Sequence, residues 1–317
     1  MSEASIALRG VSKSFGSTHA VRDLDLDVPR GSLCGFLGPN GAGKTTTIRM
    51  IMSIIYPDSG SIEVLGGSAL RSKDQIGYLP EERGLYRKMR VGEFLEYMAR
   101  LKGVRRRDLA SYIQERLTQL ELPDVYHKKC EELSKGMQQK VQFLTAILHD
   151  PELLILDEPF TGLDPVNTEL LNRLIRNLHD QGRTIIFSTH ILHQAEQICD
   201  RIFLINHGVK LLDATLEEIR ERFDPRTILA EPLEGRPDLN HVEGVREVRP
   251  VADSSALELE VEDRADPQRI MQAVLLAHPM RSIKLRQLSL SEVFVRLVTQ
   301  DEGAAAAARA REELAHV

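Results

Sequence analysis

Residues 33–48 read Leu-Cys-Gly-Phe-Leu-Gly-Pro-Asn-Gly-Ala-Gly-Lys-Thr-Thr-Thr-Ile, and they restrict the fold more than any other stretch. Leu33 to Leu37 is a short apolar run that reads as a buried strand. Gly38 opens a turn, Pro39, Asn40, Gly41 and Ala42 carry it, and Gly43-Lys44-Thr45-Thr46 closes it against a helix start. The spacing is G-x-x-x-x-G-K-[ST], a phosphate-cradling loop. Glycines lack a Cβ, so the backbone can bend and bring its N–H groups close to an anion. Those groups sit at a helix N-terminus, where unpaired donors and the helix dipole favour negative charge. Lys44 adds a cation for the terminal phosphates, and Thr45 a hydroxyl for Mg²⁺, a hard ion that prefers oxygen. A plain glycine-rich turn would not need the full spacing with Lys-Thr in a strand–loop–helix context.

The chain has 317 residues, long enough for two domains, with 42% apolar and 28% charged residues, as in an ordinary globular protein. A formal charge of −6 argues against a nucleic-acid binder. The one short basic run, Arg105-Arg106-Arg107, abuts Asp108 and reads as a solvated helix start. Cys34, Cys130 and Cys199 are odd in number and far apart, which fits a reducing compartment rather than a disulfide or metal site. Met1 to Ser5 has no basic-then-apolar signal pattern, and no stretch is apolar enough to span a bilayer. A membrane role is therefore expected to come through a separate partner chain.

Residues 5–30 alternate apolar and polar, which predicts antiparallel strands. Phe15 lies there, either as a ring that stacks on adenine or as a core residue at a strand end. The helix from Lys44 is expected to run through Ile55 to Tyr56-Pro57. Strands follow at 61–65 and 76–79. Residues 91–122 then show helical spacing through Val91, Phe94, Leu95, Leu109, Ile113 and Leu117, with breaks at Gly103 and Pro123. Leu133-Ser134-Lys135-Gly136 precedes another helix. Leu153 to Glu158 reads as an apolar strand ending in two carboxylates, whose side chains should point to opposite faces. A helix over 165–181, strands at 184–188 and 201–205, and the strand–helix alternation imply a parallel α/β sheet. Beyond Pro225 the pattern becomes strands at 227–230, 245–251 and 256–261 with helices over 267–277 and around Leu290–Leu297: a small α+β domain. Ala304 to Ala308 is low in complexity, and the tail to Val317 is expected to be frayed helix or disordered.

Together these motifs, in this order, resemble the ATP-binding subunit of ABC transporters over about residues 4–222. The phosphate loop resembles Walker A, and Leu153 to Glu158 resembles Walker B. Leu133-Ser134-Lys135-Gly136-Met137-Gln138-Gln139 resembles the signature L-S-G-G-Q, Gly162-Leu163-Asp164 the D-loop, and His190 the switch histidine. The resemblance implies an α/β P-loop fold of ABC type: a mixed sheet core, an antiparallel β subdomain and a helical insert, followed by the small α+β domain. The expected organisation is 1–224 for the ATP-binding domain, with the insert at about 88–150, 225–302 for the accessory domain, and 303–317 for the tail. It further implies ATP and Mg²⁺ as ligands. Thr45, Glu81 and Asp157 would serve the metal, Glu158 would orient the attacking water, and His190 would sense the γ-phosphate. Ser134 and Gly136 would contact the nucleotide of a second, identical subunit.

Two departures stand out. Lys135 and Met137 replace a glycine and the glutamine of the signature, and Lys135 is expected to face solvent. Glu81 stands where the family has a glutamine; its carboxylate can still bind Mg²⁺ but adds negative charge beside phosphate, and Gln75 lies too early to substitute. Tyr78 to Tyr86 resembles sodium-efflux ATPases, and Leu288 to Phe294 the end of accessory domains in ABC-2-type exporter ATPases. The implied function is an ATPase that energises a polytopic membrane permease, as an exporter, from the cytoplasmic face of the plasma (inner) membrane. His193 is expected to be structural or exposed. The alternative is a non-transport ABC ATPase acting on a ribosome or nucleic acid. It is disfavoured by the single phosphate loop, the absence of a long coiled coil and the acidic balance.

Overall fold

A computed structural model gives the fold and describes residues 4–82, 84–224, 226–251 and 254–302. The low-complexity tail expected at 303–317 lies outside the described residues. In chain order the elements begin with β1 (Ala4–Phe15), β2 (Thr18–Pro29), β3 (Leu33–Leu37), α1 (Lys44–Ile51), β4 (Ser59–Val64) and β5 (Ile76–Leu79). The helices α2 (Val91–Leu101), α3 (Leu109–Gln119) and α4 (Lys135–Ile147) follow. Then come β6 (Leu153–Asp157), α5 (Pro165–Asp180), β7 (Thr184–Thr189), α6 (Leu192–Ile198), β8 (Arg201–Asn206) and β9 (Val209–Thr215). Last are α7 (Leu216–Arg222), β10 (Thr227–Pro232), β11 (Val245–Pro250), β12 (Leu257–Val261), α8 (Pro267–Ala277), β13 (Met280–Leu285) and α9 (Leu290–Glu302).

The structure divides into two compact units, one running to Leu216 and resuming at Leu297, the other spanning Glu217–Arg296. In the first unit, β1 and β2 pair antiparallel, with Ile6 opposite Val28 and Leu8 opposite Leu26, so the alternating apolar residues fall on one buried face. With β4 they form a three-stranded sheet. A six-stranded sheet has the order β5-β6-β7-β3-β8-β9. Its first five strands are parallel and β9 runs antiparallel to β8. Every residue of β3, β6 and β7 is buried, which explains the apolar runs Leu33–Leu37, Leu153–Leu156 and Ile185–Phe187 within them. Because β3, β6 and β7 are parallel and adjacent, the chain leaves all three at one edge. Leu37 pairs there with Thr189, and Asp157 with Ser188.

Two local expectations change, and two strands appear that the pattern did not predict. α1 stops at Ile51 rather than Ile55, because Ser53 takes a left-handed φ of 55° and Arg49 O receives the N–H groups of Ile54 and Ile55 instead. The strand expected through Glu158 ends at Asp157. Glu158 has φ 49°, so the alternation of faces does not separate the two carboxylates. β9 and β13 had no counterpart in the sequence pattern; in β13, exposed Arg281 and Lys284 break the apolar alternation. The helices α2 and α3 bury Val91, Phe94, Leu95, Leu109, Ile113 and Leu117 as their spacing predicts, and Gly103 interrupts them. Arg106 pairs with Asp108 at the start of α3, so the basic run is a solvated helix start.

The second unit is a four-stranded antiparallel sheet of order β11-β12-β10-β13. Ile270 and Val274 of α8 join Ile228, Leu257 and Leu259 in its own core.

Candidate nucleotide site

The turn after β3 can be made only by glycine at two points. Gly38 has φ 153°, and a Cβ there would lie 2.1 Å from Ile205 O. Gly43 has φ 105°, and a Cβ there would lie 2.4 Å from Ala20 O. The loop is thus threaded between the backbones of β8 and β2, which fixes its N–H groups. Ala42 is buried, Pro39 and Thr46 are half-buried, and Asn40 and Gly41 are exposed. Lys44 is 6% exposed, and its Nζ donates to Gly38 O at 2.7 Å and Pro39 O at 3.1 Å. Burial lowers its pKa, against the opposing pull of Glu158, Asp157 and Glu81.

An open cavity of about 520 Å³ lies over this loop. Asn40, Gly41, Gly43, Lys44, Thr45, Thr46, Glu81 and Glu158 line it on one side. The β1–β2 hairpin and the turn at His207 line it on the other. Asp157 ends β6 beneath the loop and is fully buried. Its Oδ1 accepts from Thr45 Oγ1 at 3.3 Å and from Ser188 Oγ at 2.5 Å. Burial raises its pKa, while those two hydrogen bonds pull the other way. Glu158, also buried, turns back toward the same loop: its Oε1 lies 3.7 Å from Lys44 Nζ and 3.0 Å from His190 Nδ1. His190 follows β7 and is half-buried.

The donor set suits a hard cation. Asp157 Oδ2 is buried without a hydrogen-bond partner among the described residues, the Thr45 hydroxyl is adjacent, and the Glu81 carboxylate lines the cavity. Among the described residues no group of three or more His, Cys, Asp or Glu side chains is placed to hold a metal alone. Phosphate oxygens would have to complete the shell.

The structure therefore brings together Lys44, Thr45, Glu81, Asp157, Glu158 and His190. It does not bring Ser134 and Gly136 to them. Ser134 caps α4, its Oγ accepting from Met137 N at 3.3 Å, and a Cβ on Gly136 would lie 3.6 Å from Leu163 Cδ2. Lys135 and His193 are exposed. Gln75 is exposed, and its carbonyl accepts from Glu152 N and Leu153 N. Phe15 is 51% exposed, so it is not a core residue. It pairs across the hairpin with Thr18, which lines the cavity, but Phe15 itself does not line it. Sequence reasoning missed Ser188, whose signal was a hydroxyl directly after the apolar run Ile185–Phe187. It also missed His19, Arg22 and His207, which line the cavity and carry no pattern of their own.

Comparison with known proteins identifies the class. Residues 21–161 match the ABC transporter family, and residues 215–298 match the C-terminal domain of DrrA1-3-like ATP-binding proteins. The chain is 40% identical to an uncharacterised ABC transporter ATP-binding protein, YhaQ, of Bacillus subtilis, over 91% of this chain and 96% of that protein. It is 34% identical to Nod factor export ATP-binding protein I of Rhizobium sp. (strain N33), over 95% of this chain and 99% of that one. A solved ATP-binding subunit of an ABC transporter superposes with a TM-score of 0.64 at 31% identity, covering 69% of this chain and 92% of the other. The chain belongs to the ABC transporter ATP-binding proteins. It is an ATP-binding subunit of the transporter type, whose family implies ATP hydrolysis, rather than a non-transport switch. Among the described residues no helix is long and apolar enough to cross a membrane.

Proposed function

We propose that this chain is the motor of an exporter, working as a pair of identical subunits on the cytoplasmic face of the plasma membrane and coupling ATP hydrolysis to movement of the permease. The observation that carries the reading is the meeting of Lys44, Glu158 and His190 around one carboxylate oxygen beside the phosphate loop. In this reading Lys44 and the loop N–H groups hold the β- and γ-phosphates, and Glu158 orients the attacking water. His190 donates toward the γ-phosphate and holds Glu158. Thr45, Asp157 and Glu81 would hold Mg²⁺; when bound, the ion would supply charge neutralisation at the phosphates.

Two composite sites form in the pair. Ser134 and Gly136 of one copy close on the nucleotide held by Lys44 of the other, at the capped tip of α4. ATP then acts as a ligand shared across the interface, and its hydrolysis releases the closed state. Residues 1–224 form the motor and 225–302 an accessory domain. The permease docks on the helical insert near Glu81. Tyr86 there packs edge-on against Phe94 and Tyr97, with centroids 5.8 and 6.1 Å away, and Tyr86, Tyr97 and Leu101 are exposed. Export, rather than uptake, is favoured by the likeness to the Nod factor export protein. Nucleic acid has no part in this reading.

Glu158→Gln tests the proposal. With ATP and Mg²⁺ it should keep nucleotide bound, hydrolyse it at least about 100-fold more slowly, and sediment as a dimer. A loaded, hydrolysis-dead variant that stays monomeric at all concentrations, with and without its permease, overturns the paired-motor reading.

A further inference from the structure

Ser188 is fully buried at the end of β7, in register with Asp157 of β6. Its hydroxyl does two things at once. It donates to Asp157 Oδ1 at 2.5 Å and accepts from the Glu158 N–H at 3.0 Å. The same N–H also reaches Ser188 O at 3.2 Å. Glu158 itself has the left-handed φ of 49° that an L residue with a long side chain rarely adopts. That conformation turns its carboxylate out of the strand alternation and toward Lys44 and His190. A residue held in such a conformation needs its surroundings to fix it.

We propose that Ser188 is a positioning residue for hydrolysis. It links the carboxylate assigned to the metal with the peptide that aims the water-orienting carboxylate, so that Asp157 and Glu158 are set by one hydroxyl. The inference rests on the roles given above to Asp157 and Glu158. Alanine at this position keeps the Cβ but can neither donate to Asp157 Oδ1 nor accept from the Glu158 N–H. Asp157 Oδ1 would keep only the longer contact from Thr45, and the Glu158 peptide only the Ser188 carbonyl. Among the described residues Ser188 hydrogen-bonds neither the phosphate loop backbone nor the Lys44 ammonium, so metal-free nucleotide binding should not depend on it.

Ser188→Ala and Ser188→Thr separate this from a packing role. For Ser188→Ala, kcat at saturating Mg²⁺ should fall about 10- to 100-fold, as expected for losing hydrogen bonds to a charged group and to a strained peptide. The Mg²⁺ concentration for half-maximal turnover should rise several-fold. ATP affinity in EDTA should stay within about twofold and the Tm within a few degrees. Ser188→Thr, which keeps the hydroxyl, should return kcat and the Mg²⁺ requirement most of the way. Wild-type kcat and Mg²⁺ dependence in Ser188→Ala overturn the inference. So does a parallel loss of Tm and EDTA-state ATP affinity, which is the mark of packing. Glu158→Gln run beside it isolates the underlying reading: full turnover in that variant removes Glu158 from the mechanism, whatever Ser188 does.

Discussion

His190 Nδ1 lies 3.0 Å from Glu158 Oε1, and Lys44 Nζ approaches the same oxygen to 3.7 Å. One carboxylate oxygen is thus held from two sides, by a half-buried imidazole and by the lysine of the phosphate loop. Removing the imidazole leaves the carboxylate tethered only to Lys44 and free to swing from the line of attack. His190→Ala should therefore lower kcat by about 100-fold while changing ATP affinity only a few-fold, because the phosphate contacts from the loop remain. Steady-state hydrolysis together with equilibrium ATP binding checks the split; a loss confined to affinity contradicts it.

Lys44 is the cation at the head of the loop, and its burial disfavours its charge, which Glu158 first and then Asp157 and Glu81 hold in place. Deleting it removes a charge-assisted contact to phosphate and leaves Glu158 facing the ligand with only His190 against it. Lys44→Ala should weaken ATP binding by about 10- to 100-fold in calorimetry. Unchanged affinity would mean the phosphates lie elsewhere.

Much of this was legible in the chain because the informative constraints are local. The buried strands β3, β6 and β7 announce themselves by the apolar runs within them, and the phosphate loop by glycines whose Cβ atoms would strike Ile205 O and Ala20 O. The early end of α1 was not legible, since nothing in Ser53 itself dictates its left-handed backbone. Nor was the turn at Glu158: period-two alternation placed it opposite Asp157, and only the neighbouring strand supplies the Ser188 groups that hold it. Edge strand β13 escaped because a strand paired on one side can carry Arg281 and Lys284 without penalty. The cavity wall formed by His19, Arg22 and His207 depends on which turns meet in space, and such long-range meetings leave no spacing to read.

Two glycines of the loop should respond differently to alanine. At Gly43 the backbone is left-handed and the new Cβ would sit 2.4 Å from Ala20 O; at Gly41 φ is 79° but nothing lies within 4 Å. Gly41→Ala should cost about 1 kcal/mol, the backbone penalty alone. Gly43→Ala should cost on the order of 3 kcal/mol or more and abolish ATP binding, because either the loop or β2 must move. Urea unfolding of both variants measures the difference, and equal costs would show that the close approach to Ala20 does not constrain the loop.

Glu81 adds a third carboxylate to a cavity where Lys44 faces Asp157 and Glu158, and it disfavours further negative charge there. Its side chain is exposed, so water screens the effect and the change should be modest. Glu81→Gln should tighten ATP binding in EDTA by about threefold and less, or not at all, in Mg²⁺. Binding isotherms in the two conditions decide it; a variant that gains equally in both, or loses in EDTA, removes Glu81 from the charge balance of the site.

His149 gives the first unit an acid limit. Its Nε2 lies 3.1 Å from Ile76 O, while Nδ1 is buried without a hydrogen-bond partner among the described residues. Burial, and next the charge of Lys102, hold its pKa below the ordinary histidine value of 6.5, with the Ile76 carbonyl acting the other way. The unfolded chain takes up a proton near pH 6.5, whereas the folded chain resists it until lower pH. This contribution to stability is therefore complete above about pH 6.5 and is lost as pH falls toward the folded-state pKa. His149→Gln keeps a donor for Ile76 O but cannot titrate. The wild-type Tm should drop more steeply than that of His149→Gln between about pH 6.5 and 5, and the two should run parallel from pH 7 to 8. Parallel curves across the whole range would show that the imidazole is reached by water and accepts its proton without cost.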